Sequence, residues 1–434
     1  MKTYYDIDTM PLDDIEGIQG QLLEETVRHA CGKSPYYRKL FDDAGLKASD
    51  IKRTDDLAKL PLTGREDVQK SNRDFFAAAG RDLAEFVSTT GTTGDPIYIG
   101  MTAGDLERLA YNEEKSFLRA GASRDDVFLI DVTCDNLFIA GIAYYSGLVR
   151  LGASVVRAGP RDIARQFDLM EKLKPTGIVA VPSFLARMAR QAQEHNMRLN
   201  DSGIDRIVLI GDSVRNEDFS LNPLGELLAR TYGNIFYSTY GITEGQVSFC
   251  ECSRRKGLHC HPDLIIAEIV DESGRQLPDG QAGELVLTTL QIEGMPLIRY
   301  CTGDITFKLS DACSCGRNSL RIGPVLGRKR HRLKFKGVTL YPKTIENAIL
   351  GTEEVVNYQI EVFTGDDHTD HVLLRVGSER SDSDFKMALL EKLRSKARVA
   401  PAIEIMPPEE VAGRIFPKGS RKPVTFIDRR ESEE

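Results

Sequence analysis

Between Phe86 and Asn234, short β-rich runs ("DVFLIDV", "ASVVRAG", "GIVAVP", "RIVLIGD") alternate with segments of helical spacing, "NLFIAGIAYYSGLVRLG" and "FLARMARQAQEHN". Strands that alternate with helices pair in parallel through helical crossovers, so this part of the chain is committed to an α/β layered sheet. Ahead of it, Ile15 to Asp74 places apolar residues three and four apart, as in "QLLEETVRHACGKSPYYRKLFDDAG", with Gly45 ending the second helix. That pattern predicts a helical N-terminal layer. Beyond it, Leu264 to Lys308 holds two strand-like runs around Gly- and Pro-rich turns, the texture of an antiparallel unit. After Gly327 come a basic run, the Pro-started helix "YPKTIENAIL", the strand "HVLLRVG" and the helix "DFKMALLEKLRSKA", which suit a small α+β domain. The expected division is a large N-terminal α/β domain, residues 1–327, and a small mobile C-terminal domain, residues 328–434.

At 434 residues and 41% hydrophobic, the chain can bury cores for two domains. A net charge of −8 argues against general binding to nucleic acid or an anionic membrane, so a polyanionic ligand must be held locally. The start lacks an apolar leader, and the longest charge-free apolar run, Asn136 to Val149, is too short to span a bilayer. The expectation is a cytoplasmic protein with no membrane partner; self-association into a homodimer is left open.

Three stretches carry chemistry. "STTGTTGDP", Ser88 to Pro96, gathers backbone N–H groups with the hydroxyls of Ser88, Thr89, Thr90, Thr92 and Thr93 around Gly91 and Gly94, which suits ATP phosphates. It is no Walker loop, since the Gly-Lys-Ser/Thr ending is missing, and by itself it reads equally as a polar hairpin loop. "YSTYGITEG" offers Thr243 to an α-phosphate and Glu244 to Mg²⁺. "RYCTGDIT" places Asp304 after a turn, able to accept both hydroxyls of a ribose.

The cysteines are clustered. "SFCECSRRKGLHCHP" and "DACSCGRN" bring Cys250, Cys252, Cys260, Cys313 and Cys315 together with His259 and His261. Cys-x-Cys on a strand puts both sulfurs on one face, and a second pair can complete a tetrahedron, so zinc is expected rather than disulfides.

The order "TTGTTGDP", "YGITE", "GELVLTTLQIEGMPLIRYCTGD" and "GRKRHRLKFKGVTLYPKTIE" resembles the adenylate-forming superfamily of acyl-CoA synthetases, most closely its phenylacetate–CoA ligase branch. The N-terminal "HACGKSPYYRKLFDDAG" and "TDDLAKLPLTGREDV" are similar to that branch as well. The resemblance implies the adenylate-forming enzyme fold, with ATP, Mg²⁺ and coenzyme A as cofactors and a carboxylic acid, aromatic in this branch, as substrate. The acid becomes an acyl-adenylate with release of pyrophosphate, then an acyl-CoA thioester with release of AMP. Transfer to an amine, a carrier-protein thiol or a cofactor is the alternative; a zinc-dependent nucleic-acid module is less favoured.

Carried over by residue, the resemblance implies that the Ser88–Gly94 loop closes on pyrophosphate and that Thr243 and Glu244 serve the α-phosphate and Mg²⁺. Tyr240 and Gly241 lie in the same nucleotide motif, Gly211 and Asp212 flank the adenine, and Asp304 and Arg328 bind the ribose. Lys422 is the adenylation lysine, with Lys418 as competitor; Phe138 and Gly141 face the aryl group, whereas Tyr144 and Tyr145 read as core. Cys252, His259, Cys313 and Cys315 are the zinc ligands, in a closed structural site, with Cys250, Cys260 and His261 as spares. Two departures stand out. Asp95 occupies a place where close relatives often carry Lys, and Arg330, followed by His331, replaces a common Asp near the expected hinge.

Overall fold

The runs "DVFLIDV", "GIVAVP" and "RIVLIGD" become short strands with their apolar residues largely buried, because a strand covered on both faces needs no polar alternation, whereas "ASVVRAG" forms an edge strand that is only half-buried. The computed structural model describes residues 7–89, 96–160, 162–194, 199, 202–335, 338–350, 352, 354–365, 370–397, 399–415 and 424–430. The chain divides into two compact units, residues 1–221 with 225–324, and 222–224 with 325–434.

In the first unit, α1 (Leu12–Lys33) and α2 (Pro35–Asp43) form the N-terminal layer. Leu23, Val27, Tyr37 and Phe41 bury one face of the pair in an apolar cluster that also takes in Met295, Leu297 and Tyr300. Helix α2 ends in a Schellman turn: Leu46 N–H donates to the Phe41 carbonyl at 2.9 Å and Gly45 N–H to that of Asp42 at 3.1 Å. Gly45 sits at φ +66°, the left-handed conformation that turn requires.

Strands β1 (Leu83–Ser88) and β2 (Tyr98–Thr102) pair antiparallel. The main sheet uses β3 (Val127–Asp131), β4 (Ser154–Arg157), β5 (Gly177–Ala180), β6 (Arg206–Leu209) and β7 (Phe236–Ile242), all parallel. It continues antiparallel through β8 (Val247–Glu251), β9 (Leu258–His259), β13 (Lys308–Leu309) and β14 (Arg321–Ile322), in the order β13-β14-β9-β8-β7-β6-β5-β3-β4. That antiparallel half was not expected. The change of direction falls at the β7–β8 hairpin, in the middle of "YGITEG". The expected antiparallel unit is β10 (Ile265–Val270), β11 (Gly283–Thr289) and β12 (Tyr300–Thr306), with Ile265 opposite Thr289. The main sheet is covered in part by α4 (Ala103–Arg119) and α5 (Ile139–Leu151), while the short α3 (Arg65–Lys70) lies beside β12. Among the described residues no helix is long and apolar enough to cross a membrane.

The second unit packs the helices Pro342–Ile349 and Ser383–Ala397 onto the antiparallel strands Asn357–Thr364 and Asp370–Gly377. Phe385, Leu389, Leu393, Ile345 and Ile349 fill its core. The strand Phe426–Asp428 joins this sheet parallel to Asn357–Thr364.

One buried charge bears on stability. Asp131, ending β3, is fully buried and neither carboxylate oxygen has a hydrogen-bond partner among the described residues, so burial pushes its carboxyl up to about 8. The folded state therefore keeps a proton that the unfolded chain releases near pH 4. The resulting stability is complete below that value and is lost as pH rises toward 8, by at most about 1.4 kcal/mol per pH unit. Urea midpoints of Asp131→Asn measured from pH 5 to 8 will fall less steeply than those of the parent; parallel profiles would assign the slope to other groups.

Candidate active site and metal centre

Arg65 ties together two motifs that the sequence keeps 155 residues apart. The strand-like segment before it docks on β12, where Thr63 N–H donates to the Arg299 carbonyl at 2.9 Å and Cys301 N–H to that of Thr63 at 2.8 Å. The Asp67 carboxylate then accepts from Gly64 N–H at 2.7 Å and starts α3 with Arg65 in its first turn. From there the guanidinium donates to Glu244 Oε1 at 3.1 Å and to Thr89 Oγ1 at 3.2 Å.

Thr89 is buried. Its N–H donates to the Ile97 carbonyl at 3.0 Å, and Ile97 N–H returns a bond to Thr89 Oγ1 at 3.1 Å. Ser88, half-buried beside it, donates its N–H to Leu137 O at 3.0 Å. Thr90, Gly91, Thr92, Thr93 and Gly94 lie outside the described residues, as do Lys418 and Lys422.

Glu244 sits in the tight turn between β7 and β8, which Gln246 N–H closes on the Thr243 carbonyl at 3.2 Å. The turn is anchored from behind: fully buried Arg108 of α4 donates to the carbonyls of Gln246 (2.9 Å), Leu264 (2.6 Å) and Leu290 (2.8 Å). Tyr300 O–H donates to Glu244 Oε1 at 3.2 Å, and Tyr240 O–H to Asp304 Oδ2 at 2.8 Å. Burial first, and then the facing carboxylates, raise both phenols, so they remain protonated donors at neutral pH.

The remaining expected residues are distributed as follows. Thr243 is half-buried and Gly241 exposed at the end of β7; Gly211, at φ +86°, and Asp212 are exposed after β6. Arg328 is exposed and belongs to the second unit. Phe138 is half-buried at the start of α5. Gly141, expected to face the acid, is pressed against backbone: a Cβ there would come 2.1 Å from the Thr133 carbonyl oxygen. Arg65, Arg108 and Tyr300 were not expected at all. No local pattern marks them, because each acts on a turn far away in sequence.

The metal-type cluster is built by β8, β9 and the loop before β14. Cys252 follows β8, His259 ends β9 directly opposite Cys250, and the tight 313–316 turn carries Cys313 and Cys315. The donor atoms of Cys252, His259, Cys313 and Cys315 all lie within 4.8 Å of one another, and Cys252 Sγ is 3.8 Å from Cys313 Sγ. A tetrahedron with Zn–S bonds of ~2.3 Å has edges of about this length. His259 Nδ1 is bonded to Ser319 Oγ at 2.9 Å, which leaves Nε2, 3.5 Å from Cys315 Sγ, turned into the cluster. The other three candidates are elsewhere: Cys250 and Cys260 are buried in apolar clusters, and His261 Nε2 bonds Ser116 Oγ at 3.1 Å.

Residues 29–293 match the AMP-binding enzyme family, and residues 337–430 match the AMP-binding enzyme C-terminal domain. A phenylacetate-coenzyme A ligase of Thermus thermophilus is 32% identical over 82% of this chain and 80% of its own length. Ligases of the same name from Escherichia coli (30%, covering 82% of this chain and 81% of the relative) and Pseudomonas putida (27%, covering 92% of each) are also similar. Among solved structures, a 2-hydroxyisobutyryl-CoA ligase in its postadenylation state superposes with a TM-score of 0.86 at 21% identity, over 99% of this chain and 94% of that one.

Proposed function

Since this chain belongs to the AMP-binding enzyme family and is an AMP-forming acid–CoA ligase, we propose that its acid is aromatic and that the Arg65–Glu244 region is its adenylation centre. The observation that carries the reading is the double contact of Arg65, which brings the neck of the Ser/Thr/Gly loop and the β7–β8 turn to one point. The names of the similar ligases support the aromatic acid.

In this scheme the residues 88–94 hold the β and γ phosphates by amides and hydroxyls, Thr243 meets the α-phosphate, and Asp304, steadied by Tyr240, accepts the ribose hydroxyls. Glu244 would hold Mg²⁺, which supplies charge to offset the phosphates. Arg65 is an ion-pair partner of Glu244 and also reaches the loop, so it adds a permanent cation to a loop that has Asp95 where a lysine would help. Lys422, from the C-terminal domain, stabilises the developing charge as the acid's carboxylate attacks in line. No protein nucleophile is needed. A C-terminal domain spanning residues 328–434 then withdraws Lys422 and admits CoA.

Cys252, His259, Cys313 and Cys315 hold zinc with all four positions filled by protein, so the ion supports the fold and leaves no place for a reacting water.

The direct test is AMP release from aryl, fatty and amino acids with and without CoA. Strong acid-dependent AMP release that needs CoA and is greatest with aryl acids supports the reading; indifference to CoA would move the acceptor to another group. Arg65→Ala will raise the KM for ATP about tenfold, a loss of roughly 1.4 kcal/mol, with Arg65→Lys recovering part of it. An unchanged KM would remove Arg65 from the phosphate site.

A further inference from the structure

The adenylation scheme leaves unused a set of buried polar groups lying on the other face of β7. Thr239 stands opposite Cys250 and Gly241 opposite Ser248, so these four share one face of the hairpin. Tyr240 points the other way, its ring 5.8 Å from that of Phe249. Helices α4 and α5 cover the first face. Asn112 Nδ2 donates to Ser248 Oγ at 3.1 Å, and Tyr144 O–H lies 3.4 Å from Thr239 Oγ1. Thr239 donates its own proton to the Leu209 carbonyl at 2.8 Å, so it is Tyr144 that donates to Thr239, and the phenol oxygen keeps lone pairs to spare.

Glu113 of α4 is 2% exposed. One oxygen accepts from Asn112 Nδ2 at 2.9 Å; the other, Oε2, is buried without a hydrogen-bond partner among the described residues. Gly147 lets α5 press against this side chain, since a Cβ there would lie 2.3 Å from Glu113 Cβ. Tyr144, three residues earlier on α5, packs its ring 5.9 Å from Phe117, one turn beyond Glu113 on α4. The same cluster contains Phe138, Val181, Ile210 and Tyr237, which are apolar or present apolar ring faces. Polar atoms are therefore gathered at one end of an apolar layer, on the face of β7 that carries Thr239 and Gly241.

We propose that Tyr144, Thr239 and Glu113 form a polar floor to the acid-binding slot, and that the acid is an aromatic one bearing a hydroxyl or amino group on the ring, remote from its carboxyl. This rests on the ligase reading above. A buried oxygen with no partner favours a ligand that brings one, and a slot built to pair with a ring substituent rejects the acid that lacks it. Burial pushes the Glu113 carboxyl up to about 7 against the hydrogen bond from Asn112, so near neutral pH its protonated form is available to donate as well as accept.

The test is a comparison of kcat/KM for phenylacetate with those for the three ring-hydroxylated and three ring-amino phenylacetates. At least one substituted acid will exceed phenylacetate by roughly 100-fold. Tyr144→Phe and Glu113→Leu will each lower that acid's kcat/KM at least tenfold more than phenylacetate's, and Glu113→Gln will restore most of the difference. A parent enzyme that prefers phenylacetate, or variants that lower both acids alike, would overturn the proposal. Should Glu113→Leu fail to fold, Tyr144→Phe removes a single oxygen and decides alone. Failure of the ligase reading looks different: no acid, substituted or plain, would release AMP.

Discussion

Lys422→Ala will lose acid-dependent ATP–pyrophosphate exchange by about three orders of magnitude, the size expected when a group that stabilises transition-state charge is removed. Thioester formation from a preformed acyl-adenylate will be largely intact, because in the proposed scheme the lysine serves the attack of carboxylate on phosphorus and has no part in the attack of the CoA sulfur on the acyl carbon. Measuring the two half-reactions separately is essential. Equal loss in both would reject Lys422 as the adenylation lysine, and loss in Lys418→Ala with Lys422→Ala unaffected would transfer the role by four residues. The ordinary alternative for either side chain is solvation on a basic tail, and it predicts no loss in either half-reaction.

Removal of the proposed zinc will have the second large effect. Chelation, or Cys313→Ser, will lower the melting temperature by roughly 10 °C or more, since a closed four-ligand zinc site contributes many kcal/mol to the folded state and each kcal/mol is worth a few degrees in a domain of this size. Cobalt will restore the melting temperature and show thiolate absorption, with turnover equal to that of the zinc form. A change of turnover on cobalt substitution at constant stability would mean that the ion takes part in the chemistry.

Much of the first unit was legible because its signals are local. The alternation of apolar tetrads with amphipathic segments predicts β3 to β6 and their helices. The grouping of Cys252, His259, Cys313 and Cys315 was legible for the same reason, being carried by residue types at short spacing, although Cys250 of the first Cys-x-Cys lies in an apolar cluster instead. The antiparallel half of the sheet was not. All five residues of β8 are buried, so it shows no alternation from which to read a face, and β9, β13 and β14 are two residues each. At the site, Arg65 was missed because its partner Glu244 is 179 residues away, and Arg108 because a helix arginine ordinarily faces water while this one is spent on three carbonyls. Gly141 was assigned to the substrate, and the packing requirement that its contact with Thr133 adds was not legible from the sequence.

The strands β7, β8 and β9 form one meander with the Glu244 turn at one end and Cys252 and His259 at the other. Roughly five residues, or ~17 Å of strand, separate the two ends of β8. A slip of one residue would turn every side chain of β8 to the other face and turn Glu244's neighbours inside out. A single ion on Cys252 and His259, as proposed, would hold β8 and β9 at one offset and so align the Glu244 turn from its far end, like a ruler pinned at the margin. On this view a demetallated protein that still holds most of its helices would fail first in alignment, and ATP chemistry would disappear at temperatures where the rest of the sheet is intact.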